Sequence, residues 1–128
     1  LIEHGKVIRG WLDITMVQLD DSIVSYAKLP VDSGILISQV KSSGKAEKGG
    51  LQGGDRKVQY GSSIIYLGGD IIVNIKGEKV SQYADIYHAL VDTAPGDIVE
   101  IGVIRDGNEK TIEVELVERP TQMEWMVE

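Results

Sequence analysis

Two apolar alternations run towards each other near the end of the chain: Val99, Ile101 and Val103, then Ile112, Val114 and Leu116, with Asp106-Gly107-Asn108 between them. A period of two places every second side chain on one face, and an Asp-Gly step turns a chain back with the twist that paired strands need. The reading is an antiparallel hairpin with one apolar face. Further strands follow the same logic. Gly34-Ile35-Leu36-Ile37-Ser38-Gln39-Val40 and Ile71-Ile72-Val73-Asn74-Ile75 read as buried strands, and Leu12, Ile14 and Met16 alternate with Trp11, Asp13 and Thr15 as in a half-buried one. Phe is absent, so the core must be built from Ile, Val and Leu with a few Tyr, a mixture that leans towards strands.

Helices interrupt these strands rather than alternating with them. Asp20-Asp21 at the front, Lys28 near the back and Pro30 as a stop describe a short helix with its dipole matched. Lys45 to Leu51 can form only a turn or two, because Gly49-Gly50 weakens it. Ser81 is a sound N-cap for a helix over 82–91, where Tyr83, Ile86, Tyr87 and Leu90 fall on one stripe. Gly53-Gly54-Asp55 recurs 15 positions later as Gly68-Gly69-Asp70, too few copies for a solenoid. Residues 56–67 between the copies read as an inserted hairpin, with strands 57–60 and 64–67, whose removal should leave the rest folded. The end of the chain, 119–128, has no clear period and reads as a linker or tail. The sum is an α+β plan: a small, partly open barrel of five or six strands with two or three short helices.

Composition narrows the chemistry. The length of 128 residues suits one domain, and 42% apolar with 26% charged residues is a globular mixture without a bilayer-spanning run. A net charge of −7 argues against nucleic acid as a partner. There is no Cys, and His4 and His88 have no ligand-like spacing, so neither a thiolate nor a His-based metal site is expected. No Gly-x-Ser-x-Gly or Gly-Asp-Ser-Gly string occurs; His88, beside Asp85 and Asp92, reads as an exposed helix histidine. Asp20-Asp21 and Glu113, Glu115 and Glu118 read as a cap and a solvated strand face. The glycine runs at 44–50 and 49–54 lack the Gly-Lys-Ser/Thr ending or the Gly-x-Gly turn of phosphate loops. No catalytic residue, cofactor or metal is assigned. What remains is a binding surface: a strand edge after Gly10 facing the aromatic stripe of helix 82–91, a groove for an extended peptide. The competing reading is that Tyr83 and Tyr87 simply finish the core.

Taken together, these pieces resemble a PDZ domain of the type attached to HtrA-family, trypsin-like serine proteases. Gly5-Lys6-Val7-Ile8-Arg9-Gly10-Trp11-Leu12-Asp13-Ile14 is similar to that family's run from the protease domain into its carboxylate-binding loop. Ser33 to Val40 resembles the buried strand that follows. Ala46-Glu47-Lys48-Gly49-Gly50-Leu51-Gln52-Gly53-Gly54-Asp55 resembles the short helix with its Ala-Gly-Leu-x-x-Gly-Asp sequence. Gly69 to Gly77 resembles the Gly-Asp-Val-Ile strand, and Val103-Ile104-Arg105-Asp106-Gly107 the final hairpin.

The resemblance implies a PDZ domain over 7–118, preceded by a linker from a protease domain at 1–6, with the cyclically shifted strand order of bacterial protease-linked members. It implies a carboxylate loop at Trp11, Leu12, Asp13 and Ile14, with the amides of the last three as donors and the charge of Arg9 assisting. Leu12, Ile14, Tyr83, Tyr87 and Leu90 would line the pocket for the ligand's last side chain, and Thr15, Met16 and Ile86 would complete the groove.

The implied function is a regulatory module of an envelope protease. It would recognise hydrophobic C-termini or unfolded segments by strand addition, with peptides, unfolded proteins and the parent's protease domain as partners. The chain itself would cleave nothing, bind no nucleic acid and insert in no membrane. The location implied is extracytoplasmic, in the periplasm or cell envelope. Other expectations on the same fold are a size filter in a carboxy-terminal processing or intramembrane protease, and a spacer that docks protomers in an oligomer. Two departures from the family stand out: Asp13 occupies a position usually held by Gly, and the 56–67 hairpin is an insertion that the commonest members lack.

Overall fold

A computed structural model describes residues 2–3, 6–7, 10–29 and 31–118. In chain order the elements begin with β1 (Ile2–Glu3), β2 (Lys6–Val7), β3 (Gly10–Trp11), β4 (Ile14–Gln18), α1 (Asp21–Ala27), β5 (Ile35–Val40) and α2 (Lys45–Gly49). They continue with β6 (Arg56–Tyr60), β7 (Ser63–Leu67), β8 (Ile71–Ile75), β9 (Glu78–Lys79), α3 (Tyr83–Ala89), β10 (Ile98–Arg105), β11 (Asn108–Glu115) and β12 (Val117–Glu118).

The alternation about Asp106-Gly107 produces the longest ladder, β10 against β11, in register from Arg105 opposite Asn108 to Ile98 opposite Glu115. The central sheet runs β11-β10-β8-β5-β4, with β9 added to β8, and every pairing in it is antiparallel. Three short helices and this dominant sheet make the α+β plan read from the sequence.

Both faces of the sheet are covered, which is why β5 and β8 read as nearly continuous apolar runs. Ile35 and Ile37 of β5 and Ile72 and Ile75 of β8 face the main core, shared with Ala46 of α2 and Ile86 and Ala89 of α3. Leu36 and Ile71 turn the other way, into a second core with Val17, Leu19 and Ile23. The second core is closed by β6–β7, whose Ile65 and Leu67 are buried in it. Tyr60 of that hairpin donates its hydroxyl to Asp20, and the Tyr66 N–H donates to Ser38 Oγ at 2.9 Å. Residues 56–67 form the expected hairpin, in register from Arg56 opposite Leu67 to Tyr60 opposite Ser63, and it packs on the second core.

The repeated Gly-Gly-Asp marks a crossing of chain segments. A side chain at Gly69 would run into the Ile37 carbonyl and the backbone of Gly53 and Gly54, and one at Gly54 into the carbonyls of Tyr66 and Leu67. Only glycine permits backbones to approach so closely. The second aspartate, Asp70, is buried beneath this crossing. It accepts Nε and Nη2 of Arg105 at 2.8 and 2.7 Å and the Gln52 N–H at 3.0 Å. The bond to Asp70 holds the Arg105 guanidinium above its ordinary pKa.

Three local expectations need correction. The strand expected from Leu12 onward is broken: Gly10 and Trp11 form β3 and pair with Glu118 and Val117, and β4 starts only at Ile14. Trp11 is buried rather than on a polar face. The N-cap of α3 is Gln82, not Ser81; Gln82 and Asp85 cap each other's backbone reciprocally, and Ser81 donates both its N–H and its hydroxyl to Asp85. The Asp85 carboxylate gathers the Ser81 hydroxyl and the N–H groups of Ser81 and Gln82, so the serine side chain serves as a donor to it rather than as the cap. That network, led by the Ser81 N–H, holds the Asp85 carboxyl below its usual range.

Candidate functional site

Among the described residues β4 is the outermost strand of the central sheet, and only β5 pairs with it. α3 lies alongside. Ile14 and Met16 of β4 share the main core with Ile86 and Leu90, and Tyr83 and Tyr87 pack against that cluster half-buried. The Trp11 and Tyr87 rings meet with centroids 5.0 Å apart and planes tilted by 39°. The aromatic stripe anticipated on the helix thus splits by depth. Ile86 and Leu90 finish the core, while the two tyrosines remain at its rim.

Of the residues expected at the site, Trp11, Leu12, Ile14 and Met16 are buried together with Ile86 and Leu90. Thr15 and Asp13 are partly exposed. Asp13 sits at the bend between β3 and β4, where its carbonyl accepts the Lys41 N–H at 3.5 Å. Its carboxylate lies against Gly44 at the start of α2, close enough that a side chain on Gly44 would collide with it. The Asp13 carboxylate thus lies on the side of the 41–44 loop. Arg9 lies outside the described residues.

One participant escaped the sequence reading. Gln18, at the end of β4, is bound to Tyr83 twice: its N–H donates to the Tyr83 hydroxyl at 2.9 Å, and its Oε1 accepts the Tyr83 N–H at 3.0 Å. The same hydroxyl donates to the Met16 carbonyl at 3.1 Å. The signal available in the sequence was parity alone, since Ile14, Met16 and Gln18 share one side of a strand.

A separate open groove of about 460 Å³ lies between α1 and the β6–β7 hairpin, lined by Ile23, Tyr26, Val58, Tyr60, Ile65 and Leu67 among others. It contains none of the expected site residues. Among the described residues, no group of three or more His, Asp or Glu side chains is placed to hold a metal ion.

Comparison with known proteins gives this arrangement its family. Residues 10–116 match the model of the PDZ domain. A probable periplasmic serine endoprotease DegP-like of Ectopseudomonas mendocina is 30% identical over 118 residues, covering 92% of this chain and 22% of its own length. A protein of the same description from Bartonella henselae is 30% identical over 120 residues, covering 94% of this chain and 21% of its own length. The chain thus spans about one fifth of the curated relatives it matches. Among solved structures, the HtrA-type protease AlgW with a decapeptide superposes with a TM-score of 0.68 at 28% identity, covering 93% of this chain and 32% of that one. The HtrA3 PDZ domain bound to a phage-derived ligand shares the fold, with a TM-score of 0.64 at 19% identity over 88% of this chain and 89% of that one. The relatives are periplasmic by name, in keeping with the extracytoplasmic compartment implied by the sequence. With its sheet edge β4 flanked by α3 and residues 10–116 matching the family's model, the chain belongs to the PDZ family, as a domain of the HtrA-protease type.

Proposed function

We propose that this domain binds extended peptides by adding them to the edge of β4, with the amides of Leu12, Asp13 and Ile14 holding the peptide's terminal carboxylate. The observation that carries the reading is topological: β4 ends the sheet, its outer edge faces α3, and the bend at 12–13 leads straight into it. A sheet edge that no further strand covers, beside the apolar face of a helix, is the geometry of strand addition, in which main-chain bonds supply affinity and alternate side chains supply choice. The bound decapeptide of AlgW and the bound ligand of the HtrA3 domain support peptides as the ligand class. Ile14, Thr15, Met16, Tyr83 and Tyr87 form the groove, and Arg9 assists by charge. The whole protein is read as a periplasmic serine endoprotease in which this module senses hydrophobic C-termini or unfolded segments and reports to the protease domain. On this reading the chemistry resides in that domain, and no catalytic role is assigned to this one.

One observation favours a second reading. Leu12, Ile86 and Leu90 are almost completely buried, so the inner wall of the groove is filled by the domain's own side chains. A filter or an oligomer-docking spacer would have this closed form. Titration with a peptide ending in Val separates the two. A short added strand buries little area, so micromolar or weaker binding is expected for the free acid, and clearly weaker binding for the C-terminal amide. Equal affinity for acid and amide refutes the carboxylate loop, and no binding of either refutes strand addition in favour of the spacer.

A further inference from the structure

Antiparallel pairing turns the backbone groups of successive residues to opposite sides of a strand. The Leu19 N–H donates to the Gly34 carbonyl at 3.0 Å, which directs Leu19, and by parity Val17, towards the β5 side. Met16 and Gln18 therefore present their N–H and C=O outward, where an added strand would pair. Two of those groups already have a partner. The Tyr83 hydroxyl bridges them, donating to the Met16 carbonyl and accepting the Gln18 N–H, and so occupies two groups that an added strand would use. Gln18 returns the contact through Oε1 to the Tyr83 N–H, one of the amides that the first turn of α3 leaves without a helical partner. Burial raises the phenol above its ordinary pKa of 10.0, so at neutral pH it keeps the proton it donates.

We propose that Tyr83 is a specificity-determining residue of the groove: an internal occupant of the second pairing position on β4, which a longer ligand must displace. The proposal rests on the strand-addition reading above. A ligand that uses only the loop at 12–14 and the first pairing position at Ile14 leaves the tyrosine in place. One that extends further must break both hydroxyl bonds, and its upstream backbone merely replaces what it removes. Affinity then resides in the last one or two ligand residues, and added length contributes little. Formally, the groove competent for a long ligand is a minor state, and apparent affinity falls by its population.

The test uses Tyr83→Phe, which keeps the ring packed at the rim of the core and removes only the hydroxyl, and Gln18→Ala at an exposed position, which removes only the return contact. The probes are Ala-Val and Ala-Ala-Ala-Ala-Val, both with free carboxylates, followed by chemical-shift titration; amide hydrogen exchange at Gln18 is measured without peptide. In Tyr83→Phe, Gln18 exchange should accelerate and the pentapeptide should bind about tenfold tighter, the worth of roughly one net hydrogen bond. The dipeptide should be unaffected, and Gln18→Ala should shift the pentapeptide in the same direction by about threefold. Unchanged Gln18 exchange in Tyr83→Phe overturns the proposal whatever the peptides do. Faster exchange with unchanged or weaker pentapeptide binding also overturns it, because the hydroxyl then does not compete. Absence of peptide binding to any of the three proteins, with the exchange difference intact, refutes the strand-addition reading and the competition with it, but not the bond.

Discussion

Arg105→Met should destabilise the domain by about 3 kcal/mol, and the size follows from an asymmetry in the Asp70–Arg105 pair. The Asp70 side chain is 1% exposed, whereas the Arg105 side chain is 21% exposed. The desolvation cost is therefore concentrated on the carboxylate, which relies on the two-pronged guanidinium contact and on the Gln52 N–H. Removing one partner of a buried pair typically costs about 3 to 5 kcal/mol, because the other charge is left uncompensated. The partial exposure of Arg105 lets water into part of the vacated space and places the effect at the low end. The Nη2 bond to the Gly50 carbonyl, 2.7 Å, is lost as well and loosens the exit of α2. For a domain near this size, about 3 kcal/mol is a fall in Tm of roughly 10 °C. Urea unfolding followed by circular dichroism should show a lower midpoint with the same slope. A cycle with Asp70→Leu and the double variant completes the test. Losing both charges removes the uncompensated one, so the double variant should be more stable than additivity requires by about 2 kcal/mol. A cost below about 1 kcal/mol for Arg105→Met, or strict additivity, would refute the argument that Asp70 is held desolvated.

Three further outcomes are expected. Asp13→Gly should tighten binding of a free-carboxylate peptide by about threefold at low salt and less at high salt, since its carboxylate lies beside Gly44 and solvent weakens its repulsion of the ligand; calorimetric titration at two salt concentrations checks this. Deleting 56–67 with a short Gly link should abolish cooperative thermal unfolding, because Ile65 and Leu67 leave the second core; a sharp transition in the deletion variant would show the hairpin to be dispensable. Asp20→Ala should cost about 1 kcal/mol at neutral pH, through the lost N-cap bond to the Ile23 N–H at 2.8 Å. The hydrogen bond from Tyr60 holds the Asp20 carboxyl below its ordinary 3.8, so its contribution is complete above that value and is lost as pH falls through the lowered one. The deficit of the variant measured by urea unfolding should accordingly shrink below about pH 4.

Strand positions and polarity were legible because they are written in the spacing of neighbours. The period of two on both sides of Asp106-Gly107 is enough to set β10 against β11, and the apolar run at 35–40 is enough to bury β5 on both faces. The stripe of Tyr83, Ile86, Tyr87 and Leu90 likewise located α3 and its inward face. The motifs at 5–14, 46–55 and 69–77, read as a set, pointed to the family that the comparisons established.

Other features depend on residues far apart in sequence, and a local pattern carries no record of them. Periodicity reports that a face is apolar, not what covers it: of the run Ile64 to Leu67, Ile65 and Leu67 enter a second core while Ile64 stays exposed. The Gly-Gly-Asp echo reads as a pair of turns, and only the crossing of three backbones explains why glycine is required there. Arg105 reaches Asp70 across 35 positions, and Tyr83 reaches Gln18 across 65. Such polar contacts form only after the hydrophobic stripes have brought β4 and α3 together, because burial is non-directional and decides which elements meet, whereas a hydrogen bond demands a distance and an angle that the completed packing alone can supply.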